Sequence, residues 1–207
     1  MSRLCRLLNI RHPIVQSGMG RTGKMWAIEH WGVEPDIVCT AKGLASGLPL
    51  GAMIARAEIM DWEQGAHAST FGGNPVACVA ALETIKLVEE GLMKNAAEVG
   101  NFLLGRLREL AVRHPLIGDV RGLGLMIGVD LVKNRTTHET APVERDAILQ
   151  HCFSQGLVLL GCGESAIRLC PALVVTKEEA ETAVRILDSA LAEAERVPAL
   201  AQASVGP

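Results

Sequence analysis

Hydrophobic positions along this chain fall into short unbroken runs and longer stretches spaced at the helical period. Runs at 36–40 and 50–55, in a Gly- and Ala-rich stretch over 16–73, predict buried strands joined by tight loops. Asn74-Pro75 predicts a helix start, with Asn as cap and Pro in the first helical position. Val76, Val79, Ala80, Ile85, Val88 and Leu92 follow the helical period and are expected to face inward. A second helix is predicted, with Met93, Ala96, Ala97, Gly100, Leu103, Leu104, Leu107, Leu110 and Ala111 on one face. His114-Pro115 stops it.

Beyond Pro115 the pattern changes. Val120 to Val132 reads as one strand with a glycine kink, and a helix over about 143–155 ends at Gly156. Leu157–Cys162 and Ile167–Cys170 read as short strands. Thr176-Lys-Glu-Glu179 is a capping box opening a last helix, with Ala180, Ala183, Val184, Leu187 and Leu191 inward. The tail from about Arg196 is expected to fray. Strands and helices alternate, so the class is α/β or α+β.

Composition narrows the function classes. The chain has 207 residues, 49% hydrophobic and 21% charged, and a net charge of −3. No basic footprint points to nucleic acid or an anionic membrane, and no apolar run reaches the roughly 20 residues of a span. The N-terminal stretch is basic but lacks the apolar core of a signal peptide. The 6 cysteines form no CxxC pair and lie mostly in apolar runs, which reads as reduced, buried and cytoplasmic. The 6 histidines show no ligand spacing, so no metal site is expected.

Candidate chemistry centres on Lys42, which follows the apolar run Ile37–Thr40 and precedes a Gly- and Ala-rich loop. Burial at the end of such a run favours the neutral amine and makes it a nucleophile or base. The alternative is a solvated lysine at a strand-to-loop corner. Gly18-Met-Gly-Arg-Thr-Gly23-Lys24 matches two nucleotide-binding patterns only superficially. No good strand precedes it, no acidic residue follows at the required distance, and Met25 stands where a P-loop needs Ser or Thr. His67-Ala-Ser-Thr-Phe-Gly-Gly-Asn-Pro75 places the Ser69 and Thr70 hydroxyls near glycines and a helix start, where a phosphate can be held. The alternative is a plain helix entry. Arg168, between Ile167 and Leu169, needs an anion if buried; otherwise it makes a structural ion pair or faces water.

These stretches together resemble the class III aminotransferases, pyridoxal-phosphate enzymes that include 4-aminobutyrate and acetylornithine aminotransferases. The resemblance spans about residues 16–195. It rests on Gln16-Ser-Gly-Met-Gly-Arg-Thr-Gly23, on Pro35-Asp36 followed by Thr40-Ala-Lys42-Gly43, on Ser69-Thr-Phe-Gly-Gly-Asn-Pro75, and on Val120-Arg-Gly-Leu-Gly124. Gly156-Leu-Val-Leu-Leu-Gly-Cys-Gly163 with Ile167-Arg168 looks more like the 4-aminobutyrate branch.

The resemblance implies an α/β chain of the fold-type I pyridoxal-phosphate transferase kind. Residues 16–100 would be the later part of the large mixed-sheet domain, and 101–195 a C-terminal α+β small domain. Residues 1–15 would be an atypical start and 196–207 a flexible tail. It implies Lys42 as the Schiff-base lysine, Ser69 and Thr70 as cofactor-binding residues, and Gln16 beside the cofactor ring. Thr70 would hold the phosphate of a partner subunit's cofactor, so a homodimer is implied. Arg168 would pair with a substrate carboxylate. The implied reaction moves an amino group from an amino acid such as 4-aminobutyrate to a 2-oxo acid such as 2-oxoglutarate.

One departure stands out. The family carries an Asp three residues before this glutamine, as a partner for the cofactor's ring nitrogen; here the slot holds Pro13. Residues 1–15 therefore read as a substitute start from a truncated, frameshifted or misassigned frame. The expectation that follows is a chain poorly soluble alone, or an inactive remnant that at most dimerises with an intact homologue.

Overall fold

The computed structural model describes residues 19–203, with side chains described as far as Arg196. Gln16 and Pro13 lie outside these residues. The chain divides into two compact units, with the division between Lys94 and Asn95.

The first unit is built on an antiparallel pair, β1 (Ile37–Thr40) and β2 (Ala52–Ala55), in the register Ile37↔Ala55 to Thr40↔Ala52. Both strands sit where the apolar runs predict them. Their burial does not match the expectation: only Thr40 of β1 is buried, and β2 is largely exposed. Arg56, just past β2, pairs with Glu34 at 3.2 Å and Asp36 at 3.4 Å, closing the open end of the pair. Asp36 thus has a structural task that the sequence motif alone does not reveal.

Helix α1 (Pro75–Leu87) starts as expected. Asn74 Oδ1 accepts from Val76 N at 2.9 Å and Ala77 N at 3.4 Å, satisfying donors that the first turn leaves free. The buried face differs from the expectation. Ala77 and Ala81 turn inward, while Val76 and Val79 are exposed. A stripe of small residues suits the short turn that α1 packs against, Lys42–Ala45, whose Leu44 and Ala45 complete the contact. A π turn (Val88–Leu92) links α1 directly to α2 (Met93–Arg113), so the two predicted helices run on without a loop.

The second unit holds an antiparallel sheet in the order β3 (Ile117–Leu123), β4 (Met126–Asn134), β7 (Ala166–Leu169), β6 (Leu160–Cys162). A short β5 (Glu139–Thr140) pairs with β4. The stretch read as one kinked strand is a hairpin, β3 turning into β4 at Gly124-Leu125. Gly124 takes a φ of +53°, which a side chain would disfavour. A Cβ on Gly100 of α2 would lie 2.2 Å from the Gly124 carbonyl carbon, so helix and hairpin turn meet backbone to backbone. The glycines of Val120-Arg-Gly-Leu-Gly124 therefore serve packing.

Helix α3 (Pro142–Ser154) and helix α4 (Lys177–Ala203) complete this unit. The capping box forms as read: Thr176 N donates to Glu179 Oε2 at 2.8 Å and Glu179 N to Thr176 Oγ1 at 3.2 Å. Strand residues Ile127, Val129, Leu131, Ile167 and Leu169 share one core with Leu103, Leu107 and Leu110 of α2 and Val184, Leu187 and Leu191 of α4. Cys152 of α3 lies inside it, where burial pushes its thiol up to about 11 and keeps it protonated. Charged pairs tie α2 to α4. Arg106 bonds Glu181 through Nε at 2.9 Å and a second nitrogen at 2.8 Å. Buried His114 sits between Asp188 at 2.7 Å and Glu195 at 2.8 Å.

Candidate functional site

Lys42 opens the turn Lys42–Ala45, immediately after β1 and Ala41. The turn is braced on several sides. Leu44 and Ala45 are buried against α1, and Leu44 N donates to Ala41 O at 3.3 Å. Thr84 Oγ1 donates to Ala80 O at 2.8 Å, which leaves Ser46 Oγ as the donor in their 2.9 Å contact. Lys42 itself has a φ of +56°. A non-glycine residue held there costs on the order of 1 kcal/mol, and such strain gathers at functional sites. Of the two readings of its position, the structure shows the lysine at a strand-to-loop corner: the Lys42 side chain is exposed. Its run ends in Thr40, which takes the buried place, and the chain then turns the lysine outward. Among the described residues its amine has no hydrogen bond or ion pair.

The Ser69–Asn74 loop is also exposed. Ser69 Oγ accepts from Gly72 N at 3.3 Å, and Asn74 N donates to Phe71 O at 3.4 Å, so the loop is folded onto the helix start. Thr70 is exposed, and its hydroxyl has no partner among the described residues. A cleft of about 570 Å³ lies in this unit, lined by Thr40, Gly51, Met53, Trp62, Ser69 and Phe71 among others. His67 stacks on Trp62 across 6.3 Å at its margin. Ser69 and Thr40 share this cleft; Lys42 and Thr70 are not among its lining residues.

Thr40 was not singled out by sequence. It is 5% exposed, and its Oγ1 is enclosed without a hydrogen-bond partner. Such a hydroxyl costs about 1–3 kcal/mol relative to a satisfied one. The signal in the sequence was a hydroxyl closing an otherwise apolar strand.

Arg168 belongs to the second unit. It sits on the interior strand β7, between Gly128 of β4 and Leu160 of β6. Its neighbours Ile167 and Leu169 face the core, so strand alternation turns Arg168 to the accessible face. The buried-arginine reading fails for that reason. No carboxylate among the described residues lies within ion-pair distance of its guanidinium. Lys42, Thr70 and Arg168 thus share one property: each leaves its polar group free for a ligand.

Of the residues present, Lys42 fits pyridoxal phosphate, with an unpaired amine on a braced turn; the apolar-walled cleft of the same unit does not include that lysine. Among the described residues no helix is long and apolar enough to cross a membrane.

Comparison with known proteins points the same way. A family model described as aminotransferase class-III matches residues 14–191. The leucine/methionine racemase of Thermococcus litoralis is 46% identical over 183 residues, which is 87% of this chain and 41% of that protein. The 4-aminobutyrate aminotransferase of Mycobacterium tuberculosis is 46% identical over 187 residues, 86% of this chain and 41% of that one. Among solved structures, a Bacillus anthracis aminotransferase superposes with a TM-score of 0.81 at 33% identity, covering 86% of this chain and 44% of its own. The chain therefore spans about two-fifths of the length of the curated relatives it matches.

Proposed function

The chain belongs to the class III aminotransferase family, and on that premise we propose that it carries the lysine-bearing part of a site that moves an amino group from an amino acid to a 2-oxo acid. The family depends on pyridoxal phosphate, which when bound supplies the electron sink for charge left on the substrate carbon. Lys42 Nζ would be the group that holds the cofactor, and, as a free amine, the base that would take and return a proton at the substrate carbon. The strained, braced turn fixes the backbone position from which Nζ would reach for both tasks. Ser69 and Thr70 donate hydroxyl protons to phosphate oxygens, Thr70 to those of a partner subunit's cofactor, so the working unit is a homodimer. Arg168 pairs with the substrate carboxylate, including that of 2-oxoglutarate, and 4-aminobutyrate is the proposed donor. Gln16, which lies outside the described residues, would join them as a cofactor-binding residue on the strength of the resemblance alone.

The observation that carries this reading is Lys42: exposed, unpaired and held at φ +56°. Pyridoxal phosphate added to the purified chain should give the visible absorption band of a lysine-bound cofactor, absent in Lys42→Ala. No band in the unaltered chain would sink the reading. Identity does not separate transfer from racemisation, since relatives named for each reach 46%. The assay therefore pairs 4-aminobutyrate with 2-oxoglutarate, and a second arm follows loss of optical rotation of L-leucine without any oxo acid. Turnover confined to the second arm would replace the transferase reading with a racemase one.

A second reading is favoured by the first unit's surface, where Phe71, Val76, Val79 and Leu82 are 61–69% exposed. On that reading the chain does not turn over alone and at most dimerises with an intact homologue. Recovery of turnover only when such a homologue is added would support it.

A further inference from the structure

The contacts of buried His114 fix its charge. The residue follows directly on α2, and its side chain is 7% exposed. Nε2 lies 2.7 Å from Asp188 Oδ1, and Nδ1 lies 2.8 Å from Glu195 Oε2. Both carboxyl groups belong to α4, about two helical turns apart on one face, so the imidazole bridges those turns. Leu116 N donates to the other Glu195 oxygen at 3.2 Å. Two further charged groups flank the cluster. Arg113 donates to Asp188 Oδ2 at 3.0 Å, and Arg135 donates to the carbonyls of Ala111, His114 and Ile117. Guanidinium groups are donors only, so neither can accept a hydrogen bond from the ring.

Counting donors decides the state of the ring. An ionised carboxylate only accepts hydrogen bonds, and a neutral imidazole has a single N–H. Burial opposes ionisation of Asp188, but bonds from His114 and Arg113 outweigh it and hold the carboxyl below the usual range. Asp188 is therefore an acceptor, and Nε2 carries a hydrogen. A glutamate is ordinarily ionised above about pH 4.3, so Glu195 is an acceptor too, and Nδ1 carries a hydrogen as well. Only the imidazolium satisfies both contacts. A neutral ring, in either tautomer, points a lone pair at one of the carboxylates.

We propose that His114 is a pH-sensitive latch on the C-terminal part of α4, closed as the imidazolium and opened by loss of one ring hydrogen to solvent. Glu195 is the contact that lets go. Asp188 keeps Arg113 as a second charged partner, whereas Glu195 keeps the Leu116 amide alone among the described residues. Without the Nδ1 hydrogen its carboxylate, three-quarters buried, faces a lone pair, and it regains solvation by swinging outward with its turn of helix. Leu191 and Ala194 lie on the same length of α4 and leave the core with it. The start of α4 is held separately by Arg106 and Glu181, so the opening stays local.

Histidines titrate near about pH 6.5, which places such a latch within reach of physiological change. The latch contributes stability on the acid side of the imidazole titration, and that contribution is lost as pH rises through it. The Asp188 carboxylate has the reverse sign, its contribution being lost as pH falls. The inference does not depend on the Lys42 reading.

The test is a pH series on the purified, isotope-labelled chain, following the ring nitrogens of His114 by NMR and amide protection along α4. In the protected state both ring nitrogens should carry hydrogens. As one hydrogen is lost, protection over residues 188–196 should fall about tenfold, while β4 and β7 keep theirs. Glu195→Gln is the discriminating variant. Its side-chain amide keeps an acceptor for Leu116 N and gains a donor for the neutral ring, so the fall in protection should flatten or reverse. Full protection of residues 188–196 with a singly protonated ring would overturn the proposal. So would a fall in protection that Glu195→Gln leaves unchanged.

Discussion

In the second unit, Leu107, Ile127, Leu131, Ile148 and Leu191 are at most 1% exposed, whereas in the first, Trp31, Phe71, Val76 and Leu82 are 65–69% exposed. The second unit closes a core between one face of its sheet and its helices, and ties α2 and the residue that follows it to α4 with Arg106–Glu181 and His114–Asp188. The first buries mainly small residues against one short turn, with Met19, Leu44 and Val88 as its larger buried apolar side chains among the described residues. Yet the first unit holds Lys42, Thr70 and the unsatisfied Thr40. The division places the closed core in one unit and the lysine turn in the other, while Arg168 stays with the core. Both units expose apolar side chains, but only the first does so without a large core behind them, and such surface marks interaction sites.

The sharpest way to break that comparison is at Gly100. Any side chain there meets the Gly124 backbone, which cannot give way without reshaping the hairpin turn. Gly100→Ala should destabilise the second unit by about 3 kcal/mol or more, read as a large drop in Tm and loss of its near-ultraviolet dichroism. Tolerance of alanine would mean that helix and turn are not in fixed contact. Next in size is a matched pair of truncations. Leu107→Ala removes a fully buried side chain and should cost about 2–5 kcal/mol. Leu82→Ala removes one that is 67% exposed and should cost roughly 0.5 kcal/mol or less in the isolated chain. Comparable losses at both positions would erase the distinction between the units.

The acid limb of stability sharpens the comparison further. Burial alone would raise the Asp188 carboxyl, but hydrogen bonds from His114 and Arg113 outweigh it and hold the group below the usual carboxylate range. A depressed carboxylate contributes stability above its unfolded value of about 4, and that contribution is lost as pH falls through the lower folded value. Stability of the second unit should therefore decline with acidification across that window. Asp188→Asn should start lower at neutral pH and show a flatter acid limb in Tm against pH. An unchanged limb would mean that Asp188 does not anchor α4.

What could be read from the residues alone follows from how far each signal reaches. Asn74-Pro75, Thr176–Glu179 and His114-Pro115 mark helix ends through bonds to neighbours within a few positions, and each boundary stands where the sequence places it. The β3–β4 hairpin was hidden because Leu125, in its turn, is itself a core residue, and because the tight approach to Gly100 is a long-range event. The inward face expected at Val76 and Val79 did not form, and the choice between burial and exposure at Lys42 and Arg168 stayed open, for a related reason. Periodicity shows which residues share a face, but not whether anything packs against that face. Only alternation within β7, fixed by Ile167 and Leu169, could have turned Arg168 outward. Thr40 was legible as an oddity of composition, but its missing partner required coordinates.

The smallest effect compares two caps of similar chemistry, one in each unit. Asn74 caps α1 and Thr176 caps α4, and replacing either with alanine should cost its helix about 1 kcal/mol. In the second unit α4 belongs to the closed core through Val184, Leu187 and Leu191, so Thr176→Ala should lower the global transition itself. In the first unit α1 has an exposed flank, and its opening need not carry a core with it. Asn74→Ala should therefore raise amide exchange across α1 roughly fivefold while leaving the global Tm within error. Should Asn74→Ala instead move the global transition as far as Thr176→Ala, the two units unfold as one, and the first draws its stability from the second.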